Sequence, residues 1–193
     1  MRLLIYGFGP YKQFKDNITE KVLRRLPAKS GVKKVIFPVR FQKRQFIEAL
    51  KKHKPDVILG LGQASRSKRL KIEGRAVNRK RKDQAEKPSP IVPGGSKWLS
   101  TTLRLKGNSQ AAISHDAGDY VCNYSMYVIL DYLERHRLPA RFGFIHIPYD
   151  YSLARAQRFI LSVTRKIQAK GRPLSLSGTW TEQRAGRARG ERE

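Results

Sequence analysis

Three side chains in this 193-residue chain suit covalent chemistry at a carbonyl carbon: Cys122, His146 and Glu73. Cys122 is the only cysteine. It lies in Gly118-Asp-Tyr-Val-Cys-Asn-Tyr-Ser-Met-Tyr127, where Val121, Tyr124, Val128, Tyr132 and Leu133 recur at helical spacing. Ser114, Asp116, Gly118 and Asp119, just ahead, are residue types that open helices. The thiol therefore falls in or near a first helical turn, where unpaired backbone N–H groups and the positive end of the helix dipole favour a thiolate. Taken alone, a single cysteine is more often a small buried hydrophobe, so its partners decide. A nucleophile needs a base.

Two histidines compete for that role. His146 sits in Phe-Ile-His-Ile-Pro, near the end of an apolar strand and at the edge of a loop; His115 precedes Cys122 by only seven residues. His53 and His136 lie in polar settings and read as surface. Glu73 is the sole carboxylate between Arg66 and Lys82, among nine basic residues. Read by itself it neutralises its neighbours, but together with a cysteine and a histidine it reads as the group that orients the imidazole.

The elements that must position these residues follow from the hydrophobic pattern. Arg2 to Tyr6 is a short apolar run closed by Gly7-Phe-Gly-Pro10. Asn17-Ile-Thr-Glu20 opens a helix that Pro27 stops. Val32 to Val39 and Asp56 to Leu61 read as strands, with an amphipathic helix from Gln42 to His53 between them. Ala111 to Ser114 is a short strand before the Cys122 helix, which runs to about His136. Phe142 to Tyr149 is a further buried strand, and Ser152 to Ala169 the last helix. Leu70 and Ile72 alternate as in an exposed strand, and Arg79 to Leu99 reads as a long loop rich in Pro and Gly. Strands alternating with helices predict an α/β fold, a three-layer α/β/α sandwich with a largely parallel mixed central sheet. Ligands bind at the carboxyl ends of such strands, here the Gly7–Tyr11 and Gly62–Ser67 loops. One domain is expected over residues 1–170, and residues 171–193, rich in Arg, Gly and Ser, read as a disordered tail.

The formal charge is +26, from 41 basic and 15 acidic residues, and the tail accounts for only +2 of it. A field of that size attracts polyanions and anionic substrates alike. It makes a nucleic-acid-binding protein, acting through the basic 66–82 segment, the alternative to an enzyme. That segment carries no Phe, Tyr or Trp on which bases could stack. No apolar run approaches a membrane span, and the opening residues are too quickly interrupted to be a signal peptide, so a cytoplasmic protein is expected. One cysteine rules out an intrachain disulfide and a cysteine-rich zinc site, and no metal or cofactor is expected.

Five stretches, in order, resemble the pyroglutamyl peptidase I family. They are Gly7-Phe-Gly-Pro-Tyr11 with Asn17; Gly62-Gln-Ala64; Ile72-Glu-Gly-Arg-Ala-Val-Asn78; Ala117-Gly-Asp-Tyr-Val-Cys-Asn-Tyr124; and Gly143-Phe-Ile-His-Ile-Pro-Tyr149. Pro90-Ile-Val-Pro-Gly94 also fits a loop of that family. The resemblance implies a cytoplasmic cysteine peptidase that removes an N-terminal pyroglutamyl residue from peptides. It implies Cys122 as nucleophile, His146 as base and acid, and Glu73 as the group holding the imidazole. Phe8 and Tyr11 match two positions, Phe in the family, that sandwich the pyrrolidone ring. Asn17 and Gln63 match residues that hydrogen-bond its lactam. The chain departs from the pattern at Lys12-Gln13, at Ser67, where the family carries an arginine, and at Gly74, which replaces the arginine after the acid. Homo-oligomerisation stays open at this level.

Overall fold

The computed structural model describes residues 1–11, 14–65, 67–83 and 85–169. The tail expected to be disordered, 171–193, lies outside the described residues. Six strands form the central sheet: β1 (Leu3–Phe8), β2 (Val32–Phe37), β3 (Val57–Ala64), β4 (Leu70–Glu73), β7 (Ala111–Ser114) and β8 (Arg141–Pro148). Their order is β2-β1-β3-β8-β4-β7. β2, β1, β3 and β8 run parallel, β4 is antiparallel to β8, and β7 is parallel to β4. Two further strands, β5 (Arg75–Val77) and β6 (Trp98–Ser100), pair antiparallel outside it.

Helices cover both faces. α1 (Ile18–Arg25) and α4 (Leu153–Ala169) pack on the side of Leu3, Ile5, Leu59, Leu61 and Ile145. α2 (Lys43–His53) and α3 (Val121–Arg135) pack on the side of Leu4, Tyr6, Ile58, Phe142 and Phe144. The alternation of side chains along β1, β3 and β8 divides these two sets, so each central strand is buried on both faces. This is the three-layer sandwich expected. The chain runs from β1 outward to β2 and then back across it to β3, which puts α1 and α2 on opposite faces. The crevice at the carboxyl ends of β1 and β3 is therefore the switch point of the sheet.

The structure differs from the sequence expectation in four places. β1 runs on through Gly7 and Phe8, which pair with Ile36 and Phe37, and β3 runs on through Gly62, Gln63 and Ala64, which pair with His146, Ile147 and Pro148. Gly7 and Gly62 read as loop signals, but they are strand residues pressed by neighbouring side chains, as is Gly60 inside the expected strand. β4 is not exposed. Leu70, Ile72 and Glu73 are buried: Leu70 and Ile72 belong to the core on the α4 face, and β7 pairs with the outer edge of β4. The end of the long loop is the strand β6, which returns to pair with β5.

Gly60 tests this packing. A Cβ there would fall 2.7 Å from Tyr6 Cζ and closer still to Phe144 Cδ2, two fully buried rings. Gly60→Ala is expected to destabilise the protein by roughly 1–3 kcal/mol in urea denaturation. An unchanged midpoint would show that the two rings can move aside.

Candidate active site

α3 begins at Val121, so Cys122 is its second residue, and it is partly exposed. The helix ladder opens with the Tyr124 N–H on the Tyr120 carbonyl, and Tyr120 supplies no side-chain cap. The N–H groups of Val121, Cys122 and Asn123 therefore precede the ladder. Asn123 ties this turn to β5. Its Oδ1 accepts from the Val77 N–H at 2.8 Å, and its Nδ2 donates to the carbonyls of Val77 and Arg79, each at 2.8 Å. From the sheet side, the Tyr6 hydroxyl lies 3.0 Å from Ser125 Oγ, which donates to the Cys122 carbonyl at 2.8 Å. Burial pushes the Tyr6 hydroxyl far up in pKa, the Ser125 bond opposes this and the charge of Cys122 adds to it, so the phenol keeps its proton.

His146 projects from β8 and Glu73 from β4, the strand beside it. The imidazole Nδ1–H donates to Glu73 Oε1 at 2.7 Å, and the pair is 6% and 0% exposed respectively. Burial works against a charged imidazole, but hydrogen bonding and charge from Cys122, followed by those of Glu73, outweigh it and lift the His146 pKa from 6.5 to about 9. The thiol and the imidazole meet over the bare backbone of β3. A Cβ on Gly62 would lie 2.7 Å from His146 Cδ2 and 2.8 Å from Cys122 Sγ. The structure thus brings Cys122, His146 and Glu73 together. It places the competing histidine elsewhere: His115 is exposed, with its ring against Gly74, where a Cβ would fall 2.7 Å from His115 Cε1.

The four expected ring-binding residues gather at the carboxyl ends of β1 and β3. Phe8 is buried at the end of β1, edge-on to Tyr6 at 5.8 Å and to Phe46 at 6.5 Å. Tyr11 is half-buried, with its ring 5.1 Å from Phe14 and 6.1 Å from Tyr120. Burial raises the pKa of its hydroxyl, and the charge of Cys122 adds to this. Gln63 Oε1 accepts from the Ile18 N–H at 3.0 Å, while its Nε2 is buried without a hydrogen-bond partner among the described residues. Asn17 is the N-cap of α1. Its Oδ1 accepts from the Thr19 N–H at 3.0 Å, and its Nδ2 donates to the Gly9 carbonyl at 3.1 Å, clamping the loop that carries Tyr11.

Several supporting residues escaped sequence reasoning. Thr19 Oγ1 accepts from the Phe8 N–H and donates to the Phe8 carbonyl, at 2.9 and 3.1 Å. Asn78 bonds the backbone of Ile91, Val92 and Gly95, and so ties down much of the loop between β5 and β6. Asn78 and Asn123 both lie inside the stretches quoted above, and that was the only signal for them. The basic 66–82 segment uses part of its charge internally: Arg75 lies over Trp98, Lys80 over Tyr124, and Arg81 pairs with Asp119 at 2.9 Å. Among the described residues no group of three His, Cys, Asp or Glu is arranged to hold a metal ion, and no helix is long and apolar enough to cross a membrane.

The sequence model described as pyroglutamyl peptidase matches residues 1–157. This chain belongs to that family. It is 32% identical, over 77% of its length and 82% of the relative's, to pyrrolidone-carboxylate peptidase 2 of Caldanaerobacter subterraneus subsp. tengcongensis. A mutant pyrrolidone carboxyl peptidase from P. furiosus superposes with a TM-score of 0.77 at 25% identity, covering 88% of this chain and 99% of that one. Pyroglutamyl peptidase I from Bacillus amyloliquefaciens superposes with a TM-score of 0.72 at 27% identity, covering 83% and 91%.

The raised His146 pKa has a definite sign. Folding favours the imidazolium, a contribution complete below pH 6.5 and lost as pH rises through about 9. Glu73→Gln removes one of the charges that sustain it. Imidazole NMR is expected to show the His146 titration midpoint moved to lower pH in that variant. An unmoved midpoint would mean that the carboxylate has no electrostatic hold on the ring.

Proposed function

We propose that this chain hydrolyses the bond after an N-terminal pyroglutamyl residue of peptides, with Cys122 as nucleophile, His146 as acid and base, and Glu73 orienting the imidazole. The carrying observation is the meeting of Sγ and imidazole over Gly62 with a buried carboxylate on the far ring nitrogen. In this reading the Cys122 thiolate attacks the pyroglutamyl carbonyl carbon, and the oxyanion forms beside the leading N–H groups of α3. The imidazolium gives its proton to the departing amine as the C–N bond breaks, leaving a thioester. The neutral imidazole then takes a proton from water as the water oxygen attacks that thioester. Collapse expels the thiolate, releases pyroglutamate and leaves the imidazole protonated for the next turn.

Specificity follows from a flat, uncharged ring. In this reading the ring lies against Tyr11 at the end of β1, where Phe8 is packed, and its lactam bonds to Asn17 and to the Gln63 Nε2 donor, which has no other partner among the described residues. N-terminal glutamate would bring charges without partners into the same pocket. The domain that does this spans residues 1–170.

Cys122→Ser is expected to abolish hydrolysis of a pyroglutamyl amide while leaving the circular dichroism of the folded protein unchanged. Retained turnover would remove Cys122 from the chemistry. Gln63→Leu withdraws a buried donor from the substrate and is expected to lower kcat/KM by about ten- to a hundredfold, equivalent to ~1–3 kcal/mol. An unaltered kcat/KM would place the lactam contact elsewhere.

A further inference from the structure

Across the sheet from Cys122 and His146, a cavity of about 700 Å³ opens between α4, the 102–110 segment and the strands β4 and β8. Strand alternation separates it from the peptidase site: Ile72 lines the cavity, while the next residue, Glu73, turns to His146. Its volume lies within the range of about 300–1,000 Å³ common to small-molecule sites. The floor is apolar. Ile72, Leu103, Phe159, Val163 and Ile167 are buried members of the core on that face.

The rim has the opposite character. Arg104, Lys106, Arg141, Arg155, Arg158 and Lys166 line it, and among the described residues no Asp or Glu does. All six are exposed, and none forms an ion pair among the described residues. On α4, Arg155, Arg158, Ser162 and Lys166 follow one another at steps of three and four residues, a polar stripe beside the apolar one. Like charges at that spacing weaken a helix, and six of them around a concavity focus a positive potential into it. A multiply charged anion would relieve the repulsion, and an alkyl chain on the floor would gain about 25 cal/mol for each Å² removed from water.

Other anions fit less well. Among the described residues Phe159 is the only aromatic in the lining, and it is already packed into the core, so a nucleobase finds no stacking face. A sugar–phosphate backbone has no use for an apolar floor. We propose that this cavity binds an anionic amphiphile, with a phosphate-bearing head held by the rim cations and an aliphatic chain laid along the floor.

Isothermal titration of the full chain with decyl phosphate, below its micelle concentration, tests this against decanol and inorganic phosphate. Decyl phosphate is expected to bind one-to-one with an affinity that falls as salt rises, and each of the other two to bind at least about tenfold more weakly. Reversing two rim charges, Arg158→Glu with Lys166→Glu, is expected to weaken decyl phosphate about tenfold. Ser162→Trp, at an exposed lining position, is expected to block the chain to a similar degree without changing charge. Both variants should keep pyroglutamyl hydrolysis and melting temperature unchanged. Equal affinity for inorganic and decyl phosphate, no binding of any probe, or unaltered affinity in either variant would overturn the proposal.

Discussion

Glu73 has no exposed surface, and one of its carboxylate oxygens is bonded to His146 while the other has no partner among the described residues. An ionised carboxylate in that position is unfavourable unless a cation lies against it, and the imidazolium of His146 is the cation the fold supplies. Much of the architecture follows from that requirement. β4 must run beside β8, reversed, so that Glu73 lies across from Phe144 and reaches the next inward-facing residue, His146. β7 must cover the other edge of β4, or water would reach the carboxylate. β3 must pass the ring without a side chain, which Gly62 achieves, and so leaves room for Cys122 to approach from α3. The ion pair, the bare glycine and the helix start form one arrangement, and none has its present value without the others.

The loops around that arrangement are held by amides and hydroxyls standing in for backbone. Asn17 clamps Gly9 and caps α1, Asn78 bonds the loop between β5 and β6, and Asn123 locks the first turn of α3 onto β5. Each is largely withdrawn from water and makes several bonds to main-chain groups, so an apolar replacement would leave those groups unsatisfied. Such contacts fix Cys122 to the strand layer on one side and the loop that carries Tyr11 to it on the other. The positions of Cys122 and Tyr11 thereby become properties of the sheet rather than of flexible loops.

What was legible in the sequence follows the same physics. Apolar runs and capping residues revealed the four helices and the parallel strands, because burial on both faces leaves an unmistakable pattern. The start of α3 at Cys122 was visible in residue types alone. The pairing of Glu73 with His146 had no local signal, since the two are far apart in the chain; only their residue types and the resemblance to a family suggested it. β4 looked exposed because its neighbours are basic, and nothing local announced that β7 would cover it. Gly7 and Gly62 were ambiguous for a similar reason: a glycine demanded by a side chain pressing on a strand is written the same way as one demanded by a turn. The cavity beside α4 has no sequence signature, since Arg104, Arg141 and Lys166 come together only through the tertiary fold.

The most direct test of the central claim is to trap the intermediate. The protein would be mixed with a pyroglutamyl ester at mildly acidic pH, quenched in acid within the first turnover and mapped by peptide mass spectrometry. The account predicts a hydroxylamine-sensitive pyroglutamyl adduct on Cys122 that disappears as turnover is completed. Turnover of the ester with no adduct on the peptide containing Cys122, or with an adduct on another residue, would contradict it.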